Sequence, residues 1–169
     1  MLSSEVNMAT HVIYPGSFDP FTNGHLDIAK KAAAVFDKVT ILMACNLDKI
    51  HMFSETVMNG AIAECLYENG LKNCNVELYY GLLAEYCLTN DVKYIVRGLR
   101  NSMDYAYEEN MAQVNKLLNP KIEYVYFRSD NPAISSSMVK VLWTNTMDVS
   151  AFVPPSVNDV LIDSMYRYK

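Results

Sequence analysis

Tyr14-Pro15-Gly16-Ser17-Phe18-Asp19-Pro20-Phe21-Thr22-Asn23-Gly24-His25 joins two regular patterns. The apolar run before it, His11 to Tyr14, reads as a strand. After it, Leu26, Ala29, Ala33 and Phe36 recur at helical spacing, so Leu26 to Phe36 reads as a helix. A strand, a turn rich in Gly and Pro, and a helix start together make an anion site. The first N–H groups of a helix have no partner inside it, and the helix dipole favours negative charge there. Gly16 and Gly24 let backbone approach a ligand closely. His25 stands beside the site, where it can donate to a phosphate oxygen as charge develops. The stretch points to a nucleotide phosphate as ligand and to phosphoryl or nucleotidyl transfer as chemistry.

The same alternation continues outward. Val39 to Ala44 is a continuous apolar run with β-branched residues, expected of a strand buried on both faces. Ser54 is placed to cap a helix running to about Glu68, which Asn69-Gly70 ends. Val76 to Tyr80 and Tyr94 to Val96 read as strands, with a short helix, Leu82 to Leu88, between them. Met103 to Leu118 reads as a helix stopped at Asn119-Pro120, and Ile122 to Phe127 as the last strand. Helices over Ser135 to Trp143 and Pro154 to Tyr166 follow. The pattern predicts one α/β domain, a Rossmann-like, doubly wound, five-stranded parallel sheet with helices on both faces. Ligands in such sheets bind beyond the carboxyl ends of the strands.

The 169 residues suit a single domain, and 51% apolar with 20% charged residues suits a packed core rather than disorder. A net charge of -5 argues against a nucleic-acid surface. Cys45, Cys65, Cys74 and Cys87 show no C-x-x-C spacing and read as reduced core thiols, neither a disulfide framework nor a zinc site. No apolar run approaches the ~20 residues that cross a bilayer, and Met1 to Met8 does not look like a signal peptide. A cytoplasmic protein without membrane partners is expected. There is no G-x-x-x-x-G-K-[ST] and no G-x-G-x-x-G.

In an acidic chain, basic residues at strand ends stand out. Lys49 follows the second strand, and Arg97-Gly98-Leu99-Arg100 the fourth. Arginine suits bidentate phosphate contact; the plain alternatives are an exposed loop lysine and an exposed turn. Ser135-Ser136-Ser137 opens a helix and makes either a second anion cradle or a simple N-cap. Glu108 and Glu109 lie on a helix with Tyr105 and Tyr107, a pattern normally solvated.

Together, the His25 loop, Arg97-Gly98-Leu99-Arg100, Asp104-Tyr105-x-Tyr107-Glu108 and Ile134-Ser135-Ser136-Ser137 resemble bacterial phosphopantetheine adenylyltransferase, of the HxGH nucleotidyltransferase superfamily. The resemblance runs from about His11 to Leu161, within a nucleotidyltransferase domain over residues 10–169 after a leader over 1–9. It implies transfer of AMP from ATP to 4'-phosphopantetheine, giving dephospho-CoA and pyrophosphate. It implies catalytic roles for His25, which would stabilise the transition state, and for Lys49 and Arg97. ATP would be held by Ser17, Phe18, His25, Gly98, Leu99, Arg100, Glu108 and the loop Asn131, Pro132, Ala133, Ile134, Ser135, Ser136, Ser137. Phosphopantetheine would be held by Ser17, Lys49, Leu83 and Arg97. Mg²⁺ would accompany the ATP phosphates without a protein cage, the assembly would be a hexamer, and CoA would be an inhibitor. The alternatives are a related nucleotidyltransferase with another phosphorylated acceptor and a non-catalytic CoA-binding relative. The chain departs from the family pattern. Ser17 replaces a common Thr, the usual Arg after Ser54 is absent, and Ala106 stands where an acid is common. Val141, Thr144 and Met147 occupy places often held by Glu, Arg and Gly.

Overall fold

Val12, Ile13 and Tyr14 are almost wholly removed from water although they point alternately to opposite faces, so the first strand lies at the centre of a covered sheet. A computed structural model describes residues 9–45 and 50–167. Its strands are β1 (His11–Gly16), β2 (Lys38–Ala44), β3 (Cys74–Tyr79), β4 (Tyr94–Leu99) and β5 (Glu123–Arg128). Its helices are α1 (Asn23–Val35), α2 (Glu55–Glu68), α3 (Leu83–Thr89), α4 (Ser102–Leu118), α5 (Ser136–Thr144) and α6 (Pro155–Arg167). All strands are parallel, in the order β3-β2-β1-β4-β5.

The two faces hold different cores. On one face, Val12, Tyr14, Ile41 and Met43 pack with Ile28 and Ala29 of α1, Met58 and Ile62 of α2, Val139 of α5 and Leu161 of α6. On the other, Ile13, Leu42, Ile95 and Ile122 pack with Ala84, Tyr86 and Cys87 of α3. Covering both faces is what makes the strands read as continuous apolar runs.

The chain winds outward from β1 to β3, then returns to the other side of β1, so the order reverses between β1 and β4. The ladder is short there. β1 pairs with β2 over six positions but with β4 only at Val12↔Tyr94 and Ile13↔Ile95. Beyond those pairs the strands part, and Pro15 has no N–H with which to continue a ladder. The parting opens the reversal point at the carboxyl edge, where a ligand site is expected.

The observed elements follow the sequence reading with informative differences. β4 runs through Leu99 rather than stopping at Val96, so Arg97 and Gly98 are strand residues, paired with Tyr126 and Phe127 of β5. Ser54 precedes α2 but its side chain makes no cap. Gly70, at φ 67, ends that helix in the left-handed region, as Asn69-Gly70 anticipated. The four cysteines are free thiols. Among the described residues no helix is long and apolar enough to cross a membrane.

Candidate active site

A cleft of about 430 Å³ opens over the ends of β1 and β4, between the starts of α1 and α5. Its floor is the loop between Tyr14 and His25. Phe18, at φ 48, adopts a left-handed conformation that a bulky residue rarely takes. The turn places its ring under Gly16, where a Cβ would come within 2.8 Å of the ring. Gly16 is therefore required by Phe18 packing. A Cβ at Gly24 would meet only ordinary contacts at 3.5 Å, so the folded chain alone does not demand glycine there.

His25 sits at the third position of α1 and completes a reciprocal cap. Its Nδ1 accepts the Thr22 N–H at 3.0 Å, and its own N–H donates to Thr22 Oγ1 at 3.4 Å. Because a backbone N–H points at Nδ1, the proton of the neutral ring is on Nε2. Phe18 and Phe21 flank the imidazole, with ring centroids 5.1 and 5.5 Å away. Burial, and then the charges of Arg100 and Arg97, push its pKa down to about 3. At neutral pH this histidine is an uncharged donor at the edge of the cleft.

The helix start is less open than the sequence suggests. The Asn23 N–H donates to Phe152 O at 2.9 Å and the His25 N–H is taken by Thr22, leaving the Gly24 N–H without a partner among the described residues. At the facing helix, Ser135 Oγ accepts the Met138 N–H at 3.1 Å, so Ser135 is an N-cap, and Ser136 Oγ donates to Pro20 O at 2.8 Å. Ser137 is exposed at the cleft.

Arg97 reaches across the opening. Its Nε and Nη2 grip both oxygens of Glu108, and Nη1 donates to Pro15 O, a carbonyl that the parted β4 ladder no longer serves. Burial pulls the guanidinium pKa down, but the Glu108 pair outweighs it and the net shift is upward. Glu108 is thus no solvated helix residue; it is 9% exposed. Among the described residues three of the five Arg97 N–H groups find acceptors, leaving one on each terminal nitrogen. Arg100 pairs with Asp104 through Nε at 2.9 Å and Nη2 at 3.1 Å.

Ser17, Phe18, His25, Arg97, Gly98, Arg100, Glu108, Ile134 and the three serines are all brought to this cleft. Leu83 is not; it opens α3 and packs at the edge of the opposite core. Leu99, Asn131, Pro132 and Ala133 also do not line it, the last three being exposed on the loop before α5. Lys49 lies outside the described residues, as do residues 1–8 of the leader. Sequence reasoning missed Tyr14, Ile28, Met103 and Tyr107 at the cleft wall. Helical spacing could have flagged Tyr107, which lies one turn after Met103. Nothing local marks Tyr14, whose wall position follows from the parting of β1 and β4.

A cytidylyltransferase-like family model matches residues 13–141. A phosphopantetheine adenylyltransferase from Coprothermobacter proteolyticus is 40% identical over 159 residues, covering 92% of this chain and 97% of that protein. The chain belongs to the phosphopantetheine adenylyltransferase family. Another family member, from Nautilia profundicola, is 38% identical over 92% of this chain and 99% of its own length. One from Syntrophomonas wolfei is 39% identical over 90% and 95%. Beyond the family, the fold matches a solved structure from Vibrio parahaemolyticus assigned as a nicotinate-nucleotide adenylyltransferase. The TM-score is 0.71 at 16% identity, over 96% of this chain and 98% of that one, a likeness of fold alone. A phosphopantetheine adenylyltransferase built this way presents a neutral donor, two arginines and two helix starts to one cleft.

Proposed function

We propose that the protein transfers the adenylyl group of ATP to 4'-phosphopantetheine, releasing pyrophosphate and forming dephospho-CoA in the cytoplasm. The observation that carries the reading is the Thr22 N–H donating at 3.0 Å to Nδ1 of His25, a residue of the cleft lining, which leaves Nε2 to carry the ring proton. The attacking group is a phosphate oxygen already ionised at neutral pH, so no general base is needed. What the reaction needs is alignment and stabilisation of charge on the α-phosphate. His25 Nε2–H donates to that phosphate. A neutral donor whose first proton loss would be to a strong base keeps its proton throughout, unlike an imidazolium near its ordinary pKa. The Gly24 N–H and the first turn of α5 hold neighbouring phosphate oxygens. Arg100 faces ATP, and Arg97, oriented by Glu108, offers its two remaining N–H groups to the acceptor phosphate. Gly24, which internal packing does not require, leaves room for a phosphate at the helix start.

Mg²⁺ would accompany the triphosphate and would lessen the charge on the leaving pyrophosphate. It would be held mainly through the ATP phosphates, as the family resemblance implies. Lys49 acts on the acceptor as the family resemblance implies. The assembly is a hexamer, as the family resemblance implies, and exposed Val114, Leu117 and Leu118 on α4 are apolar surface suited to a subunit contact. Coenzyme A inhibits weakly, given Val141, Thr144 and Met147.

The test is pyrophosphate release from ATP and Mg²⁺ with and without 4'-phosphopantetheine. Release that depends on phosphopantetheine supports the reading. Release only with another phosphorylated acceptor assigns a different nucleotidyltransferase. Tight ATP and CoA binding with no release under any acceptor assigns a non-catalytic relative.

A further inference from the structure

Asp19 belongs to the loop that carries His25, yet it faces away from the cleft. It is 7% exposed, and each hydrogen-bond partner it has among the described residues is a donor. Oδ1 accepts the Phe53 N–H at 3.1 Å; Oδ2 accepts the Met52 N–H and the Lys140 ammonium, each at 3.1 Å. These donors come from two other parts of the chain. Met52 and Phe53 lead into α2. Lys140 lies one turn into α5, whose first residues form the far wall of the cleft. Ser136 adds a second tie from α5 to the same loop through Pro20 O. No ladder or helix cap accounts for this set.

We propose that Asp19 is a positioning residue that sets the spacing between the His25 loop and the start of α5, and so the gap that a polyphosphate bridges. The inference rests on the reading of ATP as substrate. The requirement is for a carboxylate, not merely for a group of that size. Three donors converge on two oxygens, which an ionised Asp satisfies with lone pairs to spare. An Asn of the same shape keeps one accepting oxygen and turns an NH₂ toward a backbone N–H or an ammonium. The resulting donor-to-donor clash pushes α2 and α5 away from the loop, and small displacements of aligned groups cost large factors in rate.

The experiment compares wild type, Asp19→Asn, Lys140→Met and the double variant as full-length proteins, with rates corrected for folded fraction. Asp19→Asn is expected to lower kcat about 30- to 100-fold. It is expected to weaken ATP about tenfold while adenosine, which lacks phosphates, binds as before, because only the gap between the two helix starts has changed. Lys140→Met is expected to lower kcat about threefold, and the double variant to fall no further than Asp19→Asn alone, since the two act through one contact. A folded Asp19→Asn protein with wild-type kcat and an unchanged ratio of ATP to adenosine affinity overturns the assignment. If Asp19→Asn does not fold, Lys140→Met decides, and wild-type constants there overturn it. The nucleotide-binding arm needs no acceptor, so a failed acceptor reading leaves it decisive.

Discussion

The α1 and α5 helices begin on opposite sides of one cleft, and they close their first turns differently. At α5 a serine hydroxyl accepts one N–H and the cap is complete. At α1 the cap is reciprocal, and the side chain reaching back to Thr22 is the imidazole of His25 rather than the usual carboxylate or amide. A cap made by Ser135 shapes the helix end and leaves an anion site. The cap made by His25 does that and also fixes which ring nitrogen carries the proton. One local motif thereby shapes the helix start and sets the chemistry together.

Substitutions at the two helix starts should differ in size, and the largest effect is expected at His25. His25→Ala removes the Nε2 donor and leaves the Thr22 N–H unpaired. Turnover is expected to fall about 1,000-fold while ATP affinity changes little, because the contact strengthens only as charge develops. Single-turnover and equilibrium binding measurements separate the two. Arg97→Ala comes next. It is expected to weaken phosphopantetheine by about 2 kcal/mol, the scale of a lost charge-assisted contact, and to strand the buried Glu108 carboxylate. Unchanged acceptor affinity excludes the contact. Gly98→Ala sharpens the packing side. Its Cβ would lie 2.8 Å from Ile28 Cγ1, so a loss of about 1 to 3 kcal/mol in denaturant unfolding is expected. Ser135→Ala should be the mildest, about 1 kcal/mol of stability with turnover largely kept, since it touches a cap that carries no catalytic group.

The His25 cap also predicts a pH dependence of stability. The folded-state pKa, about 3, lies below the ordinary 6.5 of the unfolded chain. The unfolded state therefore binds the proton first, and stability is full above about pH 6.5 and declines as pH falls toward 3. His11, also lowered by burial, contributes with the same sign. Thermal unfolding of wild type and His25→Gln across that range checks this: the variant's curve should be flatter.

The fold was legible because burial on both faces imposes continuous apolar strands and because Asn69-Gly70 and Asn119-Pro120 mark ends unambiguously. What escaped depends on distant partners. Arg97 and Gly98 look like a strand terminator, yet β5 extends the ladder past them and Glu108 neutralises the charge. Glu108 looks solvated because its partner lies eleven residues away on another element. Asp19 shows nothing of its role in sequence, since its donors come from positions 52, 53 and 140. Leu83 and Asn131 to Ala133 were assigned by resemblance and lie away from the cleft.

At neutral pH His25 is an uncharged ring with its proton on Nε2. Nitrogen-15 NMR of the imidazole between about pH 5 and 8 tests it directly, the range in which an ordinary histidine titrates. An unprotonated Nδ1, a protonated Nε2 and flat shifts throughout are expected. A ring that titrates near 6.5, or that carries its proton on Nδ1, contradicts it.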